Sequence, residues 1–232
     1  MKTPGIIGGI APESTVQYYR LMIEDFRRRK ADGGYPPILI NSIDMKCMLD
    51  FIGANDLPGT TAYLAGEVGK LAKAGAAFAL FASNTPHIVF EEVRKQAPIP
   101  MLSIVETAGE AARALGVKRA GLFGTRFTMQ ARFYPEVFSP QGIEVVAPAP
   151  EEQEYIHGKY MGELVAGVFL PDTRERMLAI AARMRDEDRI DCLILGGTEL
   201  PLLLTSAAGS GIPFLDTTRI HAEAAVMEML SP

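Results

Sequence analysis

The stretch Lys2-Thr3-Pro4-Gly5-Ile6-Ile7-Gly8-Gly9 returns in pattern as Lys118-Arg119-Ala120-Gly121-Leu122-Phe123-Gly124-Thr125, at an offset of 116 residues. Both copies run from a basic start through a short apolar run to a small-residue turn, the signature of a buried strand ending in a loop. Two further pairs keep nearly the same spacing. Ala79-Leu80-Phe81-Ala82-Ser83-Asn84-Thr85 matches Leu193-Ile194-Leu195-Gly196-Gly197-Thr198-Glu199 at 114, and Ile99-Pro100-Met101-Leu102-Ser103 matches Ile212-Pro213-Phe214-Leu215-Asp216 at 113. Offsets that drift only by small insertions argue for two homologous halves, against the chance likeness of generic strands.

Outward from these stretches, short apolar runs predict strands at 5–8, 38–43, 77–82, 101–104, 120–124, 144–147, 192–196 and 214–216. Helical spacing predicts helices at 13–29, 61–74, 104–115, 173–185 and 218–230. Short apolar strands alternating with helices of ten or more residues imply parallel α/β layers. The expected fold class is therefore α/β, with two pseudo-symmetric parallel-sheet domains, residues 1–103 plus 214–232 and residues 104–213. Ligands of open parallel sheets lie beyond the carboxyl ends of the strands, so two such edges facing each other would make one cleft. Its expected lining is the turns 8–15, 83–87, 124–129 and 197–201. They are rich in Gly, Ser, Thr and Asn, whose N–H groups and hydroxyls can bind a carboxylate. The same residue types also cap helices.

Composition narrows the function further. The chain has 232 residues, 48% of them hydrophobic and 22% charged, a globular profile far from that of a disordered chain. A formal charge of −5, with Arg27-Arg28-Arg29-Lys30 as the one block of like charge, leaves no footprint for nucleic acid. The two cysteines, Cys47 and Cys192, form no CxxC and have no nearby His pair, which argues against a disulfide scaffold and a thiolate zinc site. No apolar run reaches 18 residues, and the first apolar stretch is too short for a signal peptide. A soluble, cytoplasmic protein with no membrane partner is expected. Cys192 opens a strand and reads as a small core residue. Cys47 falls in the expected loop after 38–43, on the cleft side.

Taken in order, Gly8 to Thr15, Ser83-Asn84-Thr85-Pro86-His87, Gly124-Thr125-Arg126-Phe127-Thr128-Met129, Gly197-Thr198-Glu199-Leu200-Pro201 and Asp216 to Ala222 resemble the five signature segments of the aspartate/glutamate racemase family. The stretch from Tyr155 to Gly167 is similar to a family helix. The resemblance implies two α/β domains with the active site between them, an amino acid or related carboxylate as ligand, no pyridoxal phosphate or other cofactor, no metal, and a homodimer. It also implies a pair of cysteines on opposite faces of the substrate's Cα, one thiolate removing a proton and the other thiol returning one. Cysteine suits this because its reference pKa of about 8.5 brings both forms within reach at neutral pH.

Here Ser83 stands at the first cysteine position and Gly197 at the second. By the resemblance, Ser83, Asn84, Thr85, Thr125 and Thr198 hold the substrate's carboxylate, and Gly197→Cys is expected to return a working thiol on one face. His87 could face Ser83 four residues away or simply pack, Glu199 is the acid of its own motif, and His221 reads as structural. By the same resemblance, relatives bind acidic side chains with a basic or amide residue in the loop after the second strand or with a Lys on the helix of Glu163. Here that segment, 44–52, read as a loop, carries Lys46 between Asp44 and Asp50, and the helix end Ala166-Gly167 has no Lys, leaving acidic and neutral substrates both open. Three readings follow: an isomerase with altered chemistry, a silent amino-acid-binding relative, or a lyase of the same superfamily, whose single thiol Gly197 would remove.

Overall fold

The computed structural model describes residues 1–206 and 210–232. The chain divides into two compact units, Met1–Ile104 with His221–Pro232, and Val105–Ile220.

In the first unit, β1 (Pro4–Gly8), β2 (Leu39–Ser42), β3 (Phe78–Phe81) and β4 (Met101–Leu102) form a parallel sheet in the order β2-β1-β3-β4. The strands are joined by α1 (Pro12–Arg29), by α2 (Met45–Gly53) with α3 (Leu57–Lys73), and by a 3-10 turn, Thr85–Val89, running into α4 (Phe90–Gln96). Successive strand residues point to opposite faces. Ile6 and Leu80 therefore pack with Tyr18, Met22 and Phe26 of α1. Ile7, Ala79 and Phe81 pack with Leu64, Val68 and Leu71 of α3. With both faces covered, the central strands read as unbroken apolar runs.

The basic block belongs to this architecture. It closes α1, where cations oppose the helix dipole, and Arg28 and Arg29 both pair with the buried Asp25. Residues 45–53, expected as loop, are instead the helix α2. The Asp44 side chain caps it by accepting from the Lys46 N–H at 2.9 Å, and Met48 and Ile52, four residues apart, are buried on one face. Cys47 therefore sits on a helix. α3 also begins earlier than its apolar spacing suggested, because Asp56 accepts from the Gly59 N–H at 2.8 Å with Pro58 in the first turn.

The second unit repeats the plan. β5 (Arg119–Gly124), β6 (Glu144–Val146), β7 (Cys192–Gly196) and β8 (Phe214–Asp216) form a parallel sheet in the order β6-β5-β7-β8. Its helices, in chain order, are α5 (Ile104–Ala114), α6 (Arg126–Gln130), α7 (Phe133–Phe138), α8 (Pro150–Gly162), α9 (Pro171–Asp186) and the short α10 (Leu200–Leu203). The last helix, α11 (Thr217–Leu230), starts here and from His221 onward belongs to the first unit, where Ala222, Ala225, Val226 and Met229 pack with Ile6 and Leu80. Phe123, Leu193 and Leu195 pack with Ile156 and Tyr160 of α8 and with Met177, Ile180 and Met184 of α9. Because β8 hydrogen-bonds to β7, residues 214–220 lie in this second unit, and the chain rejoins the first at His221, not at 214.

Candidate functional site

Ser83, Asn84 and Thr85 follow β3 directly, at the carboxyl end of the first sheet, and all three are buried. The turn is braced from below. The Ser14 hydroxyl donates to the Ala82 carbonyl at 3.0 Å and to the Ala11 carbonyl at 2.7 Å, and the Ala82 N–H donates to the Ile7 carbonyl. Gly9, in the adjoining turn, has a φ of +83°, and a Cβ there would stand 2.3 Å from the Ile43 carbonyl oxygen. Only glycine meets both conditions.

His87 serves this turn and the core around it. Its ring stacks on Phe90 at 4.7 Å between centroids and meets Phe81 edge-on. Its Nε2 accepts from the Ile104 N–H at 3.3 Å, and its hydrogen bonds to Ser83 and Asn84 are to their backbone. Burial, then the neighbouring His221, pushes its pKa down to about 3. A neutral, packed imidazole is the result.

In the second unit, Thr125 and Thr198 are buried at the ends of β5 and β7. The Thr125 hydroxyl caps α6, accepting from the Thr128 N–H at 3.3 Å. The Thr198 hydroxyl donates to Glu199 Oε2 at 2.9 Å. The same carboxylate oxygen accepts from the Tyr160 hydroxyl. Tyr160, Thr198 and Glu199 are exposed by only 5%, 2% and 1%. Burial, and next the Glu199 charge, holds the Tyr160 phenol well above the usual tyrosine range, so it keeps its proton at neutral pH.

Position 197 departs most from expectation. A Cβ on Gly197 would lie 2.4 Å from Cε2 of Tyr160, 2.8 Å from its hydroxyl and 2.9 Å from Cζ. The space that a thiol was expected to regain through Gly197→Cys is filled by this phenol ring. Sequence reasoning missed Tyr160. Its one signal was a place in the stretch 155–167 that resembles a family helix. Lys159, on the same helix, is an ion-pair partner of Glu163, whose other oxygen accepts from the Thr173 hydroxyl at 2.6 Å.

The two cysteines lie elsewhere. Cys192 is buried in β7, and burial, reinforced by Asp191, pushes its thiol up to about 12. Cys47 is half-buried on α2 and hydrogen-bonds Tyr63. Among the described residues, no group of three His, Cys, Asp or Glu side chains is arranged to hold a metal ion, and no helix is long and apolar enough to cross a membrane.

Two parallel four-stranded α/β units, with hydroxyl and amide residues at their strand ends, match the frame implied by the resemblance drawn above. The chain belongs to the Asp/Glu racemase family: the sequence model described as Asp/Glu/Hydantoin racemase matches residues 7–225. It is 27% identical to the broad specificity amino-acid racemase RacX of Bacillus subtilis, over 98% of each chain. It is 33% identical, with a TM-score of 0.86 over the full length of both chains, to the crystal structure of an aspartate racemase homologue from Pyrococcus horikoshii. The aspartate racemase of Picrophilus torridus shares the fold at 22% identity, with a TM-score of 0.76 over 98% of this chain and 94% of that one.

Proposed function

We propose that the chain binds an amino acid or a related small carboxylate through Ser83, Asn84, Thr85, Thr125 and Thr198, and that it does not run proton transfer between two thiols. The observation that carries this reading is the Tyr160 ring in the side-chain space of Gly197. A thiol is absent there, and the volume one would need is occupied. On the other face the reading has Ser83, a far weaker base than a thiolate at neutral pH. Buried hydroxyl and amide donors suit a carboxylate, because charge-assisted hydrogen bonds strengthen away from water. Family membership and the amino-acid racemase named among the relatives support an amino acid as the ligand. The resemblance further supports a cytoplasmic homodimer working without pyridoxal phosphate or metal.

Titration calorimetry with a panel of L- and D-amino acids, paired with chiral chromatography of long incubations, tests the reading. Saturable binding without accumulation of the opposite enantiomer is expected. Racemisation in both directions that thiol blocking abolishes would overturn the absence of two-thiol transfer, and absence of binding across the panel would overturn the ligand class.

A further inference from the structure

We propose that the Tyr160 hydroxyl, relayed by Glu199, is the proton-transfer group on one face of the bound amino acid's Cα, in the place of the thiol absent at position 197. The inference rests on the ligand reading above and adds a reaction to it.

Three observations carry it. The Tyr160 hydroxyl stands 2.8 Å from where a side chain at 197 would begin, so a polar, proton-bearing atom occupies the region that a thiol there would use. That hydroxyl donates to Glu199, on the same turn, whose carboxylate is held by the Thr198 hydroxyl as well. The ring is fixed from α8 by packing in the core with Ile156 and Leu164, so its position does not depend on a mobile loop. A buried carboxylate hydrogen-bonded to a buried phenol is a relay: the phenol meets the carbon acid, and the carboxylate stores the proton.

The step balances as follows. The Cα–H bond breaks heterolytically, and its proton passes to the Tyr160 oxygen as the phenol's own proton moves to Glu199. The electron pair stays on the substrate and delocalises into its carboxylate as an enediolate. Glu199 becomes neutral and the substrate gains one negative charge. The return runs along the same path, with a proton that Glu199 has exchanged with water. Transfer from a single face gives exchange with retention, not inversion.

In D2O, proton NMR of amino acids incubated with the protein is expected to show loss of the Cα–H signal with no change of enantiomer. Tyr160→Phe keeps the ring that fills the space at Gly197 and removes only the hydroxyl. It is expected to slow exchange by about 10²-fold or more while calorimetric affinity stays within about threefold. Glu199→Gln, which can accept a hydrogen bond but not store the proton, is expected to slow exchange and flatten its pH profile. Binding by the native protein with no label at Cα overturns the proposal and leaves the ligand reading standing. Exchange at the native rate in Tyr160→Phe also overturns it, and should that variant fail to fold, native-rate exchange in Glu199→Gln does so. A native protein that binds none of the amino acids overturns the ligand reading itself.

Discussion

The Tyr18 hydroxyl meets Nδ1 of His221 at 2.7 Å, and on the other side of the ring Nε2 stands 3.2 Å from the Leu102 carbonyl oxygen. A carbonyl can only accept, so the proton is assigned to Nε2 and Tyr18 donates to Nδ1. His221 is thus a neutral ring with both nitrogens used, fully buried, and desolvation pushes its pKa down to about 3. His87, in the same unit, shares that environment and a pKa near 3.

These histidines make the fold acid-sensitive. Unfolded, each takes a proton near 6.5, whereas folded each resists until about 3. Between those values the unfolded state binds more protons, so stability falls as pH drops below about 6.5, by up to roughly 1.4 kcal/mol per pH unit per histidine. Above that range their contribution is complete. Urea midpoints are expected to be markedly lower at pH 4.5 than at pH 7.5, and His221→Gln is expected to flatten the difference. An equally steep loss in that variant would assign the acid sensitivity to other groups.

At position 197 the steric finding yields a double-mutant cycle. Gly197→Cys forces the new Cβ against the Tyr160 ring, and overpacking of this kind costs roughly 1–3 kcal/mol. Tyr160→Ala leaves a cavity of its own. Combined, the two are expected to destabilise by clearly less than their sum, because the new side chain enters the vacated space. Strictly additive denaturation free energies would mean that the two residues do not compete for that volume.

Thr125 holds a cap as well as a proposed ligand contact. Thr125→Ala is expected to lose about 1 kcal/mol of stability through the freed Thr128 N–H, and to weaken amino-acid binding. Thr125→Ser restores the hydroxyl and is expected to recover both. Recovery of stability without recovery of affinity would separate the cap from the ligand contact.

The cysteines are expected to differ in reactivity. With Cys192 buried and Cys47 half-buried, a thiol reagent is expected to modify about one group per native chain and both after denaturation. Modification of Cys47 is expected to leave amino-acid affinity and Cα exchange unchanged. Loss of exchange on labelling would make that thiol, not Tyr160, the group to pursue.

Much of the architecture was legible in the sequence. The runs at 192–196 and 214–216 are β7 and β8, residue for residue; the wholly buried β7, covered on both faces, carries no charged residue. The internal repeat anticipated two sheets of one strand order, since homologous stretches fold alike. Ser83 and Gly197 were identified from the family pattern, and the absence of two side-chain thiols there is a fact of composition alone.

What filled the space at Gly197 was decided by tertiary structure. Tyr160 reaches Glu199 across 39 residues, and Tyr18 reaches His221 across 203, distances over which no local periodicity carries information. The sequence also disguised α2, whose helix depends on the Asp44 cap and two buried residues more than on propensity. Local chemistry determines which segments are strands, helices and turns. Which side chain takes a given volume in the core depends on how those segments pack, and in this chain that packing put the Tyr160 phenol in the side-chain space of Gly197.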